Sequence, residues 1–242
     1  MKTYKKRFYR DWISKHGGCL CRIVVKETDL LVRADKDLTK EAQASVYKYR
    51  AQIEAYIEQY PEFKTTLIPW KMNHFAPGVV QEMIEASSFA KVGPMAAVAG
   101  VIAHFVGCDL LKYSDHIIVE NGGDIFIKSP DTLKVNIFAG RSPLSNRIGI
   151  KIQPQDTPLG ICTSSGTVGH SLSFGRADAV TVISKSTALA DAAATSIGNL
   201  IQGKEDIGLG LNYAQRIKGI LGVIIIVGDR LGSWGKVELT EA

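Results

Sequence analysis

No apolar run in this 242-residue chain reaches the roughly 18 to 20 residues that a bilayer span requires. The opening residues Met1 to Arg10 are basic, but Asp11, Trp12 and polar residues follow where a signal peptide would place its apolar segment. The chain is therefore expected in the cytoplasm, without membrane contact. Cysteine is scarce and scattered, at Cys19, Cys21, Cys108 and Cys162. The Cys19-Leu20-Cys21 spacing is too short for the usual zinc or redox pairs, and isolated cytosolic cysteines mostly behave as small apolar residues. The GxGxxG dinucleotide fingerprint and the GxxxxGK(S/T) phosphate loop are both missing, as are internal repeats and any nucleic-acid-binding motif.

What is present is the make-up of a globular protein, with 45% hydrophobic and 22% charged residues. This length can bury one substantial core, so one domain over 1–242 is expected, with a basic arm over about 1–12. The net charge of +5 is uneven: residues 1–50 hold thirteen Lys/Arg against six Asp/Glu, and the remainder sixteen against eighteen. Basic residues interleaved with acidic ones describe a solvated face, so nucleic acid is not the expected partner.

Periodicity supplies the elements. Cys21 to Lys26 and Leu30 to Ala34 read as strands around a Glu27-Thr28-Asp29 turn. Ala42, Val46, Tyr49, Ile53, Tyr56, Ile57 and Tyr60 recur at helical spacing, with Asp37 or Thr39 as cap and Pro61 as stop. Pro77 opens a second helix and Gly93-Pro94 a third, from Met95 to Val106, thinned by Ala96, Ala97, Ala99, Gly100 and Ala103. Strands are expected over His116 to Glu120 and Ile125 to Ser129, around the hairpin signal Asn121-Gly122-Gly123-Asp124. Lys134 to Phe138, Arg147 to Ile152, Leu221 to Val227 and Trp234 to Leu239 add further strands, and Gln202 to Gly210 reads as a loop. Strands and helices mix without steady alternation, so an α+β domain is expected, a mixed or antiparallel sheet packed with helices.

The densest chemistry lies between Pro158 and Gln202. A small-residue loop with Thr163, Ser164, Ser165, Gly166 and Gly169 offers hydroxyls and free N–H groups to an anion or a cofactor edge, and leads to His170. A strand over Ala179 to Ser184 follows, then a helix capped by Ser186. On that helix Asp191 and Thr195 stand four residues apart, which puts their oxygens on one face. A carboxylate with a hydroxyl suits Mg²⁺, an ion that keeps waters and shares its site with phosphates. The alternative is that the surrounding alanines are good helix formers packed against a sheet.

The order TSSG, His, a β-branched strand, then S-x-x-x-A-D-A-x-x-T resembles the second half of the ApbE superfamily, flavin transferases that attach FMN from FAD to target proteins. The segments Val25 to Leu31, Pro61 to Phe63, Val92 to Gly100, Val119 to Asp124 and Ser164 to Gly175 resemble the shorter UPF0280 branch over nearly the full length. The resemblance implies an ApbE-like fold, FAD and Mg²⁺ as cofactors, and a flavin or other nucleotide with an acceptor protein as partners. It implies cofactor contacts at Gly122, Gly123, Asp124 and Thr163 to Gly166, a metal at Asp191 and Thr195, and a catalytic role for His170. Two departures stand against full transfer. Ala99 occupies the place of the superfamily's lysine, and His170 is followed by Ser171-Leu172-Ser173 rather than the H-x-x-D-P continuation. Two readings follow: a Mg²⁺-dependent flavin or nucleotidyl-phosphate transferase, or a flavin- or nucleotide-binding module with a degenerate site.

Overall fold

The computed structural model describes residues 18–167 and 173–242. The described chain enters on a hairpin, β1 (Cys19–Val25) and β2 (Thr28–Ala34), in which Val25 faces Thr28. The turn is therefore Lys26-Glu27, one residue earlier than the polar trio suggested, and Lys26 accepts a φ of 52° to make it. Helix α1 (Thr39–Gln59) buries Ala42, Val46, Tyr49, Ile53 and Tyr56 along one stripe, as their spacing required. Neither expected residue caps it: Leu38 holds the N-cap position with no side-chain cap, while Asp37 accepts from the Thr39 N–H at 2.9 Å, and Pro61 turns the exit into a short 3-10 segment that buries Phe63.

Helix α2 (Gly78–Ala90) begins directly after Pro77. The helix expected from Gly93-Pro94 starts as a 3-10 turn, Pro94–Ala97, before α3 (Val98–Leu110). Strands β3 (Ile117–Asn121) and β4 (Asp124–Lys128) close on Gly122 and Gly123 at φ 74° and 122°. Positive φ at both central positions is what a two-residue hairpin of native twist demands. Next come β5 (Leu133–Asn136), β6 (Ile148–Ile152), β7 (Leu159–Ser164), β8 (Ala179–Ser184) and α4 (Thr187–Asn199). The chain then forms α5 (Ile207–Ala214), β9 (Ile220–Val227), β10 (Arg230–Gly235) and β11 (Leu239–Glu241).

Two expectations fail here. The loop expected over Gln202 to Gly210 holds a 3-10 turn, Lys204–Asp206, and the start of α5. Its glycines argue against helix by propensity, but a Cβ on Gly210 would stand 2.6 Å from Ile225, so close packing on β9 outweighs propensity. The single strand expected over Trp234 to Leu239 is two: Gly235, at φ 84°, ends β10, and β11 joins a different sheet.

The larger sheet has eight strands in the order β1-β2-β3-β4-β7-β8-β9-β10, and the smaller has three, β11-β6-β5. Every registered pair is antiparallel, which settles the α+β class. One core lies where the helices meet the larger sheet, around Val46, Met83, Val101, Phe126, Val182 and Ile197. A second lies between the sheets, around Ile127, Ile150, Leu159, Ile161 and Ile226. Strand alternation therefore decides which chemistry each face of β7 presents: Cys162 belongs to the helix side, Leu159 and Ile161 to the other. Among the described residues no single helix is long and apolar enough to cross a membrane.

α1 and α3 are tied by Asp109, which accepts from Ser45 Oγ at 3.0 Å, Tyr49 Oη at 2.9 Å and Lys112 Nζ at 2.9 Å. Partial burial works to raise its pKa, but the hydrogen bonds from Lys112, Tyr49 and Ser45 and the charge of Lys48 outweigh it and hold the carboxyl at about 2. Its folded pKa lies below the unfolded value, so its stabilisation is complete above the unfolded value of 3.8 and is lost as pH falls from there toward 2. Asp109→Ala should cost about 1 to 2 kcal/mol at neutral pH, solvent screening included, and the difference from the parent should shrink on acidification. Urea melts at pH 7 and pH 3 check both.

Candidate functional site

The expected site residues that the structure describes divide between the end of β7 with the loop after it, the β3–β4 turn and the first three turns of α4. Thr163 and Ser164 are not in a loop: they are the last residues of β7, and the loop begins at Ser165. Register then brings three of the expected groups together. Asp124 pairs with Cys162, and the Thr163 N–H donates to the Gly123 carbonyl at 3.2 Å. The 122–123 turn thus stands beside the end of β7.

Helix α4 lies along β7 because β7 carries a glycine where the two meet. A Cβ on Gly160 would stand 2.4 Å from Thr187 Cα, and the Cys162 thiol donates to the Thr187 carbonyl at 3.3 Å. Ser186 caps the helix as its type and place suggested, accepting from the Leu189 N–H at 3.1 Å while its own hydroxyl donates to Glu82 at 2.7 Å. At the other end Gly198 faces Ser164, whose hydroxyl is buried without a hydrogen-bond partner among the described residues.

This path points Asp191 at the start of α3. The Gly100 N–H donates to Asp191 Oδ2 at 2.8 Å, the Ala99 N–H adds a second contact, and Asn121 Nδ2 holds the Ala99 carbonyl at 3.0 Å. A Cβ on Gly100 would stand 2.7 Å from Asp191 Cβ and 2.5 Å from the Thr187 carbonyl, so only glycine permits the approach. Asp191 keeps some solvent contact, yet protein surrounds its carboxylate closely. Burial and the negative charge of Asp124 push its pKa well up, and the Gly100 and Ala99 N–H groups offset only part of this. The Cys162 thiol is pushed up by its burial and by the same two carboxylates. Two acids and a thiol thus share one low-dielectric spot at the N-terminus of α3.

Thr195 stands one turn beyond Asp191, half-buried on the same helix. The Thr163 hydroxyl points elsewhere. It pairs with the Thr181 hydroxyl at 2.9 Å on the sheet face opposite Cys162, so of the expected hydroxyls it is Ser164, not Thr163, that shares the side of Asp191. The loop after β7 is fastened at both flanks: Gly166 N–H to the Ala177 carbonyl, Thr167 hydroxyl to Asp178, and Phe174 N–H to Asn199 Oδ1 at 2.9 Å. His170 and the arm over 1–12 lie outside the described residues.

Hard-oxygen chemistry fits this spot. A buried carboxylate whose ionisation the charge of Asp124 opposes is relieved by a divalent cation beside it. Among the described residues no three His, Cys, Asp or Glu side chains gather to cage a metal, so an ion here would complete its shell with hydroxyl, carbonyl and water oxygens. A separate open hollow of about 370 Å³ lies against Tyr56, Tyr60, Trp70 and Phe75 and includes none of these residues.

The sequence reading missed Cys162, Asn121 and the backbone of Ala99 and Gly100 as parts of one locus. Only the alternation of β7 beside Asp124 could have brought Cys162 to notice.

Comparison with known proteins agrees with this architecture. A family model described as AbpE bacteria matches residues 10–219. A UPF0280 protein of Methanococcus aeolicus is 43% identical over 222 residues, covering 89% of this chain and 90% of the relative. One from Methanococcus vannielii is equally similar over the same shares. Among solved structures the Flavin Transferase ApbE from Vibrio cholerae superposes with a TM-score of 0.58 at 14% identity, over 89% of this chain and 96% of that one. The chain belongs to the UPF0280 family of the ApbE superfamily.

Proposed function

We propose that the protein binds FAD or a related nucleotide together with Mg²⁺ at the Asp124–Asp191 locus, and transfers the FMN or another nucleotidyl-phosphate part to an acceptor. The observation that carries this is the buried carboxylate of Asp191, held by the Gly100 N–H beside a second acid. Asp191 and Thr195 would hold the ion, with Asp124 supplying nearby negative charge. Bound there, Mg²⁺ supplies neutralisation of pyrophosphate charge. Gly122 and Gly123 leave the turn without side chains for the nucleotide to approach, and Ser164, Ser165 and Gly166 offer two hydroxyls and a backbone edge. His170 is assigned the acceptor's proton. The reading places the protein in the cytoplasm, with a nucleotide and an acceptor protein as partners.

A second reading rests on one observation. Ala99 stands beside the carboxylate locus with no charged side chain where the superfamily's lysine would be, which fits a protein that keeps the ligand without turning it over. One experiment separates the two. Purified full-length chain is incubated with FAD, with and without Mg²⁺, alone and with candidate acceptor proteins. Transfer predicts Mg²⁺-dependent AMP release and FMN fixed to the acceptor; binding alone predicts a thermal shift with FAD and no AMP. Neither signal under any of these conditions overturns both readings.

A further inference from the structure

Helix α3 carries a second cluster that the candidate site does not use. His104 and Cys108 are four residues apart, one turn along the helix, and Cys108 Sγ stands 3.7 Å from His104 Nε2. The imidazole is hemmed in by aromatic rings, edge-on to Phe105 at 5.7 Å and to Phe126 at 5.6 Å. Its other nitrogen, Nδ1, is buried without a hydrogen-bond partner among the described residues. Nε2 is therefore the ring's one polar contact among the described residues, and it faces an exposed thiol. Glu82 of α2 lies near enough for its charge to act on both groups.

We propose that His104 and Cys108 form a two-ligand, solvent-open site for a thiophilic divalent cation of the Zn²⁺ class, with Glu82 as the neighbouring carboxylate. The separation is the first reason. Zinc bonds of about 2.3 Å to sulfur and about 2.0 to 2.1 Å to nitrogen, opened to the tetrahedral angle, place the two ligand atoms about 3.6 Å apart. The pair stands at nearly that distance before any ion arrives, and helical backbone with aromatic packing fixes the ring. The second reason is protonation. Burial holds the imidazole's pKa below its ordinary value against the pull of Glu82, so the ring is neutral and its lone pair available near neutral pH. Burial and the charges of Asp109 and Glu82 hold the thiol's pKa up. The same negative charges that disfavour a free thiolate favour a bound cation, and binding releases the thiol proton to solvent as the metal–sulfur bond forms.

A plain sulfur–imidazole hydrogen bond has the same separation, so the test reads the metal. Chelator-treated full-length protein is titrated with Cd²⁺ in the absence of FAD and Mg²⁺, following the sulfur-to-cadmium charge-transfer absorption. Cys19→Ser/Cys21→Ser double-variant protein serves as parent, so that the other exposed thiol and its neighbour cannot contribute. One equivalent should bind with proton release. Cys108→Ser should abolish the band, and His104→Gln should weaken binding by about tenfold or more. In unsubstituted protein Zn²⁺ should protect Cys108 from alkylation, read by mass spectrometry, which needs no variant to fold. Absence of the band, its survival in Cys108→Ser, indifference to His104→Gln, or alkylation of Cys108 unchanged by Zn²⁺ would overturn the proposal. None of these outcomes bears on Asp191.

Discussion

Replacing Asp191 with Asn should make the metal-free protein more stable near neutral pH and at the same time remove the thermal response to Mg²⁺ that the proposed site predicts for the parent. The first half follows from protonation. Burial and the charge of Asp124 raise the Asp191 pKa in the folded chain, so the folded state binds a proton more tightly than the unfolded chain does. For a carboxyl shifted in this direction the unfolded state ionises first as pH rises. Metal-free stability therefore falls between the unfolded value of 3.8 and the raised folded value. Asn cannot ionise, its carbonyl oxygen can still accept from the Gly100 N–H, and its amide can donate toward Asp124. The second half follows from ligand charge. A neutral amide beside one remaining acid is a poor Mg²⁺ site, and the parent's gain of about 2.7 kcal/mol at one hundred times the dissociation constant should vanish. Asp191→Ala separates the contributions: it too loses the ion, but it leaves the Gly100 N–H unpaired and should melt below Asp191→Asn. Thermal scans with and without Mg²⁺ at pH 5 and pH 8 read all of this. An Asn variant that melts below the parent in chelator at pH 8, or that keeps the Mg²⁺ shift, would remove the basis for a cation at Asp191.

How far the residues foretold this arrangement depended on whether the governing force was local. The stripe of α1, the Gly122-Gly123 hairpin, the strand Ala179–Ser184 and the Ser186 cap all rest on interactions within a few residues, and each stands where periodicity or turn chemistry put it. The failures are tertiary. α5 forms despite Gly208 and Gly210 because it packs on β9, and Gly235 sends the last strand to another sheet. The same divide runs through the site. That Asp191 and Thr195 lie one turn apart on one helix was legible from their four-residue spacing. That Thr163 turns toward Thr181 depends instead on where β7 begins, and one residue of slip would have exchanged its face with that of Cys162. The pairing of Asp191 with the Gly100 N–H joins positions 91 residues apart, beyond the reach of any local pattern.

Gly160→Ala should be among the most damaging single-methyl changes in the protein, with a loss of about 3 kcal/mol or more. Away from contacts, alanine in a strand would gain about 0.5 to 1 kcal/mol over glycine, because it forfeits less backbone entropy. Here the added carbon would stand 2.4 Å from Thr187 Cα and 2.7 Å from its Cβ and Oγ1, and Thr187 is the first residue of α4, so the nearest atom is backbone that no rotamer change moves. Relief requires α4 to lift from β7, and the Thr187 carbonyl accepts the Cys162 thiol on that same seam. Lifting the helix also draws Asp191 from the Gly100 N–H, so the variant should lose stability and Mg²⁺ response together, whereas Asp191→Asn loses only the second. Gly78→Ala is the control, since no atom lies within 4 Å of the carbon it adds at the start of α2, and it should be neutral or slightly stabilising. Urea denaturation at equal slope compares them. A Gly160→Ala loss below about 1 kcal/mol would mean that α4 rides on β7 more loosely than this packing requires, and that Asp191 is placed by the α3 N-terminus rather than by the sheet beneath it.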